Sequence, residues 1–427
     1  MNIAIIGSGI SGLTCSWMLS LTHRVTLYEQ SAYLGGHTNT QLVEDPVAGP
    51  LAVDTGFIVF NDWTYPHFCR LLDMLRVKSQ ESDMSFSVSC GRTGLEYNGT
   101  SLNTLFAQRS NLMKPTFYRM IQEILRFNRE APKLLKAPDD QLTMGDYLRR
   151  EGYSRFFCDY YILPMGAAIW SSPQFRMEHF PAHFFIRFFK NHGMLSVDNR
   201  PTWRVVKNGS HAYVRTMAKD FANREAMTVR LNTGIERIDR DPDQVKVVTR
   251  TGDSATYDQV ILACHSDQAL RLLANPTDAE REILQAIPYQ HNKAVLHTDV
   301  SLMPRRRLAW AAWNYHVPAE PTNQVALTYH MNTLQSLPTD TQYMVTLNST
   351  SRIDQEKIIR VIDYEHPVFT PEGSLQQRSW HHISGLNRTH YCGAYWRYGF
   401  HEDGVMSALR VCANFDASLS EPFEWSW

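Results

Sequence analysis

The chain has 427 residues, a formal net charge of −1 and 43% hydrophobic residues, so it can bury a large core. The near balance of charges gives no electrostatic basis for binding nucleic acid, and we expect no nucleic-acid partner. The 7 cysteines are scattered and contain no CxxC pair, which argues against both a disulfide framework and a zinc site. This cysteine usage favours a reduced, cytoplasmic setting.

A glycine-rich turn follows the first apolar run of the chain. Residues 3–6 predict a buried strand, which leads directly into Gly7, Gly9 and Gly12. Gly7 allows a sharp turn, Gly9 allows the backbone to approach a pyrophosphate, and Gly12 allows the next helix to pack on the strand. That helix starts near Ser11, and the free N–H groups of its first turn would bind phosphate. This order predicts a Rossmann-type dinucleotide site.

An acidic residue and a second glycine pair indicate which dinucleotide is bound. Glu29 ends the next apolar run about 20 residues past the glycines, where a carboxylate accepts hydrogen bonds from ribose hydroxyls. Gly35 and Gly36 follow, and then His37. A nicotinamide-dependent dehydrogenase has no particular use for this pair, whereas a flavoprotein passes the loop along its ribityl-pyrophosphate. We therefore predict FAD rather than NAD.

The chain is expected to leave the nucleotide domain and return to it. A helix predicted over 211–221 and extended runs over 228–231, 244–249 and 259–263 are typical of the β-meander that follows the crossover helix in flavin-binding folds. The predicted fold class is α/β, with a Rossmann-type FAD-binding domain and an interleaved α+β substrate domain. The FAD-binding domain is predicted at 1–77, 204–285 and 384–427, and the substrate domain at 78–203 and 286–383.

Two segments, 112–135 and 179–195, carry apolar residues at helical spacing among basic residues. Each is interpreted either as a helix packed on the core or as a lipid-facing rim at the mouth of an apolar channel. Peripheral contact of the protein with the inner face of the membrane is therefore an open alternative. No apolar segment is long enough to span a bilayer, and a first strand at residue 2 leaves no room for a signal peptide.

A third informative block runs from Tyr391 to Val405. A strand is expected to end at Gly393, an aromatic loop follows, and Gly404 is expected to open a helix that continues to Phe415. N–H groups at such a helix start can hydrogen-bond the flavin pyrimidine oxygen, and the helix dipole stabilises charge near N1. Packing alone also explains each side chain of the loop. The predicted catalytic residues are Tyr395, Trp396, Tyr398 and His401.

Together these blocks resemble the FAD-dependent amine oxidase and phytoene desaturase superfamily, and within it a bacterial branch of amine-oxidase-like proteins linked to fatty acid modification. The residues that carry the likeness are 7–12, Glu29, 34–37, 53–61, 82–86 and 398–404. The resemblance implies bound FAD and redox chemistry at a carbon centre in an apolar cavity. By association it also implies a lipid acyl chain as substrate and a fatty-acid methyltransferase as partner.

Two departures from the superfamily pattern concern the cofactor. His37 stands where members commonly carry arginine, so a fixed charge beside the pyrophosphate is absent or depends on pH. Ala394 follows Gly393 where many members have an acid, so Glu402 or Asp403 takes over the ribityl contact, or the contact is missing. The predicted cofactor-binding residues are Gly7, Gly9, Ser11, Gly12, Glu29, Gly35, Gly36, His37, Gly56, Gly393, Glu402, Asp403, Gly404 and Val405.

The predicted reaction is hydride abstraction from a C–H bond of an apolar substrate, as in a desaturase or dehydrogenase acting on a fatty acyl chain or lipid. A base removes a second proton where a double bond forms. Lys293 is a candidate base, although surface exposure is the commoner case for a lysine. Trp170 is a candidate cavity-wall residue, although core packing explains it equally well. Only one dinucleotide fingerprint is present, so the electrons must leave to dioxygen, a quinone or a partner protein, unless the flavin cycle is redox-neutral.

Two alternatives stay open. An amine oxidase would align a neutral amine in an aromatic cage, which residues 395–398 could form. A non-enzymatic protein would hold FAD as a structural group and support a lipid methyltransferase. No HxH or HExxH spacing supports a metal site, so none is predicted.

Overall fold

The computed structural model describes residues 1–136, 139, 141–196, 198–320 and 323–417. It confirms an α/β fold, in which a parallel sheet and a larger mixed sheet face a common cavity. The last residues of the third predicted FAD-binding segment, 418–427, lie outside the described part of the chain.

The parallel sheet takes its five strands from three separated stretches of the chain. Its centre is the strand Asn2–Ile6, in which Ile3, Ala4 and Ile5 are fully buried. Both neighbouring strands pair with it in parallel, and a strand covered on both faces must be apolar throughout. The strands in order across the sheet are Met227–Arg230, Arg24–Tyr28, Asn2–Ile6, Gln259–Leu262 and Thr389–Tyr391.

Two helices that begin at the same edge of this sheet pack against each other. All residues of the helix Ile10–Leu19 are buried, and this helix contacts the helix His401–Cys412. Ser11 Oγ donates a hydrogen bond to the Gly404 carbonyl over 2.9 Å. A Cβ at Gly404 would lie 2.6 Å from Ile10 Cγ2, so glycine is needed for this approach. The two helix N-termini therefore converge beside the glycine-rich turn.

A seven-stranded sheet forms the opposite side of the molecule. All of its strand pairs are antiparallel except Phe86–Cys90 with Trp313–Val317, which is parallel. The strands in order are Ile358–Pro367, Tyr289–His297, Met344–Leu347, Leu327–His330, Trp313–Val317, Phe86–Cys90 and Glu96–Asn98.

Three small sheets complete the strand structure. The predicted β-meander is present, but its strands differ from the prediction: residues 228–231 and 259–263 supply strands of the parallel sheet instead, and only 244–249 falls in the meander. The meander consists of Ile235–Arg240, Val245–Thr249 and Ser254–Tyr257. The other two small sheets are Thr40–Asp45 with Gly49–Asp54, and Val59–Asn61 with Trp203–Val206 and Ser79–Glu81.

The helix predicted over 211–221 is confirmed as His211–Ala222. The remaining α-helices cover the sheets and join them. They are Pro66–Met74, Leu102–Leu105, Pro115–Glu130, Met144–Arg150, Arg155–Phe157, Leu163–Ile169, Gln174–Met177, Ala182–Asn191, Ser266–Leu272, Asp278–Gln285, Met331–Gln335 and Pro371–Gln376.

Two large hydrophobic clusters form the core. One surrounds the parallel sheet and the other lies beneath the seven-stranded sheet and the helices of residues 115–191. Val43, Val53 and Ile58 pack in the second cluster, although they belong to the first predicted FAD-binding segment. The domain boundaries at 77/78, 203/204, 285/286 and 383/384 stay a prediction.

The two amphipathic segments differ in their surroundings. The helix Ala182–Asn191 buries Phe185, Ile186, Phe188 and Phe189, which supports the core interpretation of 179–195. The helix Pro115–Glu130 buries one face and leaves several apolar side chains exposed. In the described part of the chain, no helix combines the length and the apolar character that crossing a bilayer requires.

Candidate flavin site

A cavity of about 1290 Å³ lies between the parallel sheet and the seven-stranded sheet. It exceeds the roughly 300–1,000 Å³ of an ordinary small-molecule pocket, so it has room for a dinucleotide together with a second molecule. Of the predicted site residues, the cavity wall includes Gly7, Gly9, Ser11, Glu29, Gly35, Gly36, His37, Gly56, Gly393, Tyr395, Tyr398 and His401.

The first glycine turn shapes one end of the cavity. Gly7 adopts φ +103°, and a Cβ there would lie 2.8 Å from the Ala263 carbonyl oxygen. A Cβ on Gly12 would lie 1.9 Å from the Gly7 carbonyl oxygen, so this glycine serves helix packing and lies off the cavity wall. A Cβ on Gly9 would meet no atom within 4 Å. Gly9 therefore presents bare backbone to open space beside a helix N-terminus, as a pyrophosphate requires.

Glu29 is held in place by the backbone around it. Its Oε2 accepts hydrogen bonds from the Ser8 N–H at 3.0 Å and from Ser8 Oγ at 2.6 Å. Its Oε1 accepts one from the Ser31 N–H at 2.8 Å. A carboxylate has about four lone-pair sites, and these three hydrogen bonds use both sites of Oε2 and one of Oε1, so Oε1 can still accept a hydrogen bond from a ribose hydroxyl in the cavity.

The second glycine pair lies against the first turn. The Gly35 N–H donates to the Ser8 carbonyl over 3.0 Å. Gly36 adopts φ +57°, and a Cβ there would lie 3.2 Å from the Gly9 Cα. Both loops thus contribute backbone to the same part of the wall, and His37 follows immediately.

His37 belongs to a cluster of aromatic and imidazole rings on the cavity wall. Its ring stacks on Tyr364 with centroids 4.8 Å apart, and its centroid lies 5.2 Å from that of His366 and 6.4 Å from that of His265. Burial lowers the pKa of His37 and of His265 to about 4, and that of His366 to about 3. Within the described residues, His37 Nε2 is buried without a hydrogen-bond partner. The cluster is therefore neutral at pH 7 and places three imidazole rings on the cavity wall.

The carboxy-terminal loop, residues 393–401, forms another part of the cavity wall. A Cβ on Gly393 would lie 2.3 Å from the Tyr395 ring, so glycine is needed to let this ring pack over the backbone. Tyr395 is buried on the wall, and its hydroxyl has no partner among the described residues. Trp396 is also buried, but it lies in the core cluster and off the cavity wall.

His401 begins the last long helix and faces the cavity. Its Nε2 lies 2.9 Å from Thr38 Oγ1 and 3.2 Å from the Tyr213 hydroxyl, and its ring stacks on Phe57. Burial lowers the pKa of His401 well below its usual value, and the positive end of a helix disfavours a cation in the same way. His401 is thus a neutral side chain fixed in one orientation. The helix starts at His401, three residues before the expected Gly404.

The two acids that follow have protein partners and do not line the cavity. Glu402 accepts hydrogen bonds from the His67 and Phe68 N–H groups at 3.1 and 2.9 Å, which caps the helix Pro66–Met74. Asp403 accepts one from the Phe400 N–H at 2.9 Å, and burial raises its pKa to about 7. Gly404 and Val405 also lie off the wall, so contacts of residues 402–405 with the cofactor stay a prediction.

The part of the cavity lined by Trp170, Phe188, Phe369 and Phe400 has aromatic walls. Trp170 lies on the wall, where its Nε1 donates to the Tyr398 carbonyl over 3.3 Å and its ring contacts Phe188. Phe188 in turn packs on Phe400 with centroids 5.1 Å apart. Lys293 is half-buried and lies off the wall, whereas His291 on the same strand lines it. Trp170 is therefore placed as a wall residue, and Lys293 is not placed to act as a base.

His192 is a cavity residue that the sequence analysis did not single out. Its Nδ1 lies 2.9 Å from the Phe188 carbonyl oxygen, and its ring stacks on the Phe188 ring at 3.8 Å. A carbonyl only accepts, so Nδ1 carries the proton and the Nε2 lone pair stays available. Burial lowers the pKa of His192 to about 4, so the ring is neutral at pH 7. The only sequence signal was its position four residues after Phe188 in a helical segment.

Comparison with known proteins identifies the family. The family model described as flavin containing amine oxidoreductase matches residues 10–327. No curated protein matches the sequence. Solved structures with a similar fold include cyclohexylamine oxidase from Brevibacterium oxydans IH-35A, with 13% identity, a TM-score of 0.69 and coverage of 97% of this chain and 99% of that one. A CLA-producing fatty acid isomerase from P. acnes has 16% identity, a TM-score of 0.66 and coverage of 97% and 98%. Wild-type putrescine oxidase bound to putrescine has 15% identity, a TM-score of 0.68 and coverage of 97% and 99%.

The fold and the cavity thus define a flavin-dependent oxidoreductase. The chain belongs to the family of flavin-containing amine oxidoreductases, because that family model covers most of its length. The similarity to the solved structures shows the fold alone. The cofactor is FAD, and the wall residues fit it: Glu29 suits its ribose, the open face of Gly9 suits its pyrophosphate, and the helix start at His401 suits its flavin ring.

Proposed function

We propose that the protein removes a hydride from a C–H bond of an apolar substrate, and that the substrate class is a fatty acyl chain. The observation that carries this proposal is the wall of the half-cavity bounded by Trp170, Phe188, Phe369 and Phe400. Among the described residues, the acidic side chains on the cavity wall other than Glu29 are exposed, and so is Arg200; these acids are Asp83, Glu236, Asp363 and Glu365.

This arrangement favours methylene groups over a charged amine. Each buried CH₂ group gains roughly 0.8 kcal/mol on leaving water, so several methylene groups bind well between aromatic rings. An ammonium group on the same wall would lose its hydration without an interior counter-charge. A carboxylate at the end of an acyl chain could stay in water at the rim, close to Arg200.

Bound FAD supplies the acceptor for the hydride. The aromatic wall orients the chain and excludes water from the reacting carbon. Where the product is an alkene, His192 accepts the proton of the neighbouring carbon at Nε2, since its Nδ1–H is committed to the Phe188 carbonyl. The electrons then leave to dioxygen, a quinone or a partner protein. A fatty-acid methyltransferase as partner stays a prediction.

The substrate class is tested by anaerobic mixing of the yellow holoprotein with candidate substrates. Unsaturated and branched acyl lipids are expected to bleach the flavin absorbance band, whereas putrescine and cyclohexylamine are expected to leave it unchanged. Bleaching by the amines alone would replace the proposal with an amine oxidase, a function that the aromatic rings of Tyr398 and Phe400 also suit. A flavin that dithionite reduces but no candidate substrate reduces would indicate a structural cofactor.

His192→Gln is expected to slow flavin reduction by an acyl substrate roughly a hundredfold to ten-thousandfold, the usual effect of losing a general base. The glutamine keeps a donor for the Phe188 carbonyl but has no basic nitrogen. Stopped-flow absorbance at saturating substrate gives the rate constant. In wild type this rate should fall as the pH approaches about 4, where His192 becomes protonated.

The matched control is His179→Gln, in the same segment but exposed and off the cavity wall. It should reduce its flavin at the wild-type rate. A His192→Gln protein with an unchanged rate constant and pH profile would remove His192 from the mechanism.

A further inference from the structure

We propose that one face of the helical layer docks the protein on an anionic phospholipid bilayer. This docking face consists of Leu102, Leu112, Met113, Tyr118 and Leu125, with Arg109 and Lys114 among them. The proposal concerns binding to a lipid surface and does not depend on which substrate is oxidised.

The five apolar side chains are unusually exposed for their size. The exposed fractions are 77% for Leu102, 46% for Leu112, 84% for Met113, 42% for Tyr118 and 51% for Leu125. Single exposed apolar residues are common on folded proteins. Five of them within one stretch of 24 residues, counted inclusively from 102 to 125, form a surface that water disfavours.

Side-chain contacts show that the residues before and at the start of the helix form one surface. Arg109 Nη1 donates to the Phe106 carbonyl over 3.0 Å, and Nη2 donates to Asn103 Oδ1 over 2.7 Å, beside Leu102. The Phe106 ring lies 5.8 Å from that of Tyr118. The Tyr118 hydroxyl donates to the Leu112 carbonyl over 3.0 Å.

The helix Pro115–Glu130 presents the rest of the docking face. Phe117, Met120 and Phe127 are fully buried and anchor the helix on the second core cluster. Tyr118 and Leu125 are seven residues apart, so they lie on one side of the helix, and both are exposed. The helix thus has one apolar stripe in the core and a second apolar stripe facing outward.

The charge of this region identifies a lipid surface as the occupant. Residues 100–136 contain seven Lys and Arg and two Asp and Glu, a net charge of +5 in a chain whose total is −1. Arg109 donates to the carbonyl oxygens of Asn103 and Phe106 and to Asn103 Oδ1, and Lys114 donates to Asn111 Oδ1 at 3.0 Å, so all of these acceptors are neutral oxygens. Apolar side chains that insert, flanked by cations that meet phosphate head groups, are the pattern of interfacial membrane binding.

The docking face also adjoins the cavity. Tyr97, Gly99 and Thr100 contribute to the cavity wall, and Leu102 follows two residues later. A bilayer on this face would therefore lie beside one part of the wall. This placement would give an apolar molecule a short path between the bilayer and the cavity. Docking itself can be measured without catalytic turnover.

The test is co-sedimentation of the holoprotein with vesicles of phosphatidylcholine alone, or of phosphatidylcholine with an equal part of phosphatidylglycerol. We expect binding at least tenfold stronger to the anionic vesicles, and weaker binding as salt is added. The double variant Leu112→Glu/Met113→Glu should lose at least tenfold in affinity. The double variant Arg109→Gln/Lys114→Gln should lose the preference for anionic vesicles.

The matched control is Val47→Glu, because Val47 is 83% exposed in the turn of a hairpin distant in sequence from this face. It should bind vesicles as wild type does. The flavin spectrum and the melting temperature verify that each variant is folded. Wild-type protein that binds neither vesicle, or a control that loses as much as Leu112→Glu/Met113→Glu, would overturn the proposal. So would a dimer in size-exclusion chromatography that this double variant dissociates, since a second copy would then cover the face.

Discussion

Gly9→Val is expected to give a folded protein that is isolated colourless. The backbone at Gly9 has φ −64°, which any residue adopts, and a Cβ there meets no protein atom within 4 Å. Loss of the glycine at this helix N-cap should therefore cost only about 1 kcal/mol of stability. The valine methyl groups would instead occupy the part of the cavity where the pyrophosphate passes. Titration of apoprotein with FAD, followed by flavin fluorescence, should show affinity at least hundredfold weaker than wild type.

Gly99→Ala provides the comparison, because Gly99 lines the other half of the same cavity. A Cβ there would lie 3.9 Å from its nearest neighbour, the Phe86 carbonyl oxygen. This variant should bind FAD with wild-type affinity. A yellow Gly9→Val protein with unchanged affinity would show that the cofactor does not pass the first glycine turn.

The sequence predicted the parts of the fold that depend on local chemistry. An apolar strand, three glycines and an acid at Glu29 lie within 29 residues, so their physical roles could be assigned without knowing any distant contact. The strand Gln259–Leu262 was found because burial on both faces leaves an uninterrupted apolar run. The prediction of FAD rather than NAD relied on another local feature, the glycine pair Gly35 and Gly36.

The remaining parts of the site depend on residues far apart in the chain. Glu402 and Asp403 were the two acids considered for the ribityl contact, which stays a prediction, and the Glu402 carboxylate also caps a helix by accepting from the N–H of His67, 335 residues away. The helix starts at His401 because Asp403 accepts a hydrogen bond from the Phe400 N–H. The start predicted from the sequence was Gly404, three residues later. Such long-range contacts cannot be predicted from the residues that neighbour each position in the sequence.

The histidine cluster is a second property that arises only in three dimensions. His37 departs from the superfamily pattern in the sequence itself, but its ring neighbours His265 and His366 lie on distant segments. Single positions could not reveal that three imidazoles share one wall. Their common burial lowers the pKa of all three, which favours a His37 without a fixed charge at pH 7, while its contact with the pyrophosphate stays a prediction.

Acidification from pH 7 to about 5.5 is expected to lower the free energy of unfolding by several kcal/mol. The cause is a set of buried histidines that take up protons on unfolding. Burial lowers the pKa to about 4 for His37, His192, His265, His297, His316 and His390, to about 3 for His366, and well below the usual value for His401.

The direction follows from proton binding in the two states. Above pH 6.5 these histidines are neutral in both the folded and the unfolded protein, so they contribute no pH dependence there. Below pH 6.5 the unfolded state binds their protons and the folded state does not until the pH nears 4, so stability falls through this window. Each group contributes up to about 1.4 kcal/mol per pH unit, and the net stability of a folded protein is only about 5–15 kcal/mol. Bound FAD should reduce the loss, because its pyrophosphate favours protonation of His37.

Urea unfolding of the holoprotein at a series of pH values from 8 to 5 measures this dependence. His390→Phe removes one buried imidazole, whose Nδ1 has no partner among the described residues and whose ring contacts Phe415 at 4.9 Å. This variant should take up about one proton fewer on unfolding at pH 5.5, whereas His381→Gln, at an exposed position, should behave as wild type. Stability that stays constant from pH 8 to 5 would mean that these histidines ionise inside the folded protein, and the cluster beside His37 would then carry positive charge toward the pyrophosphate.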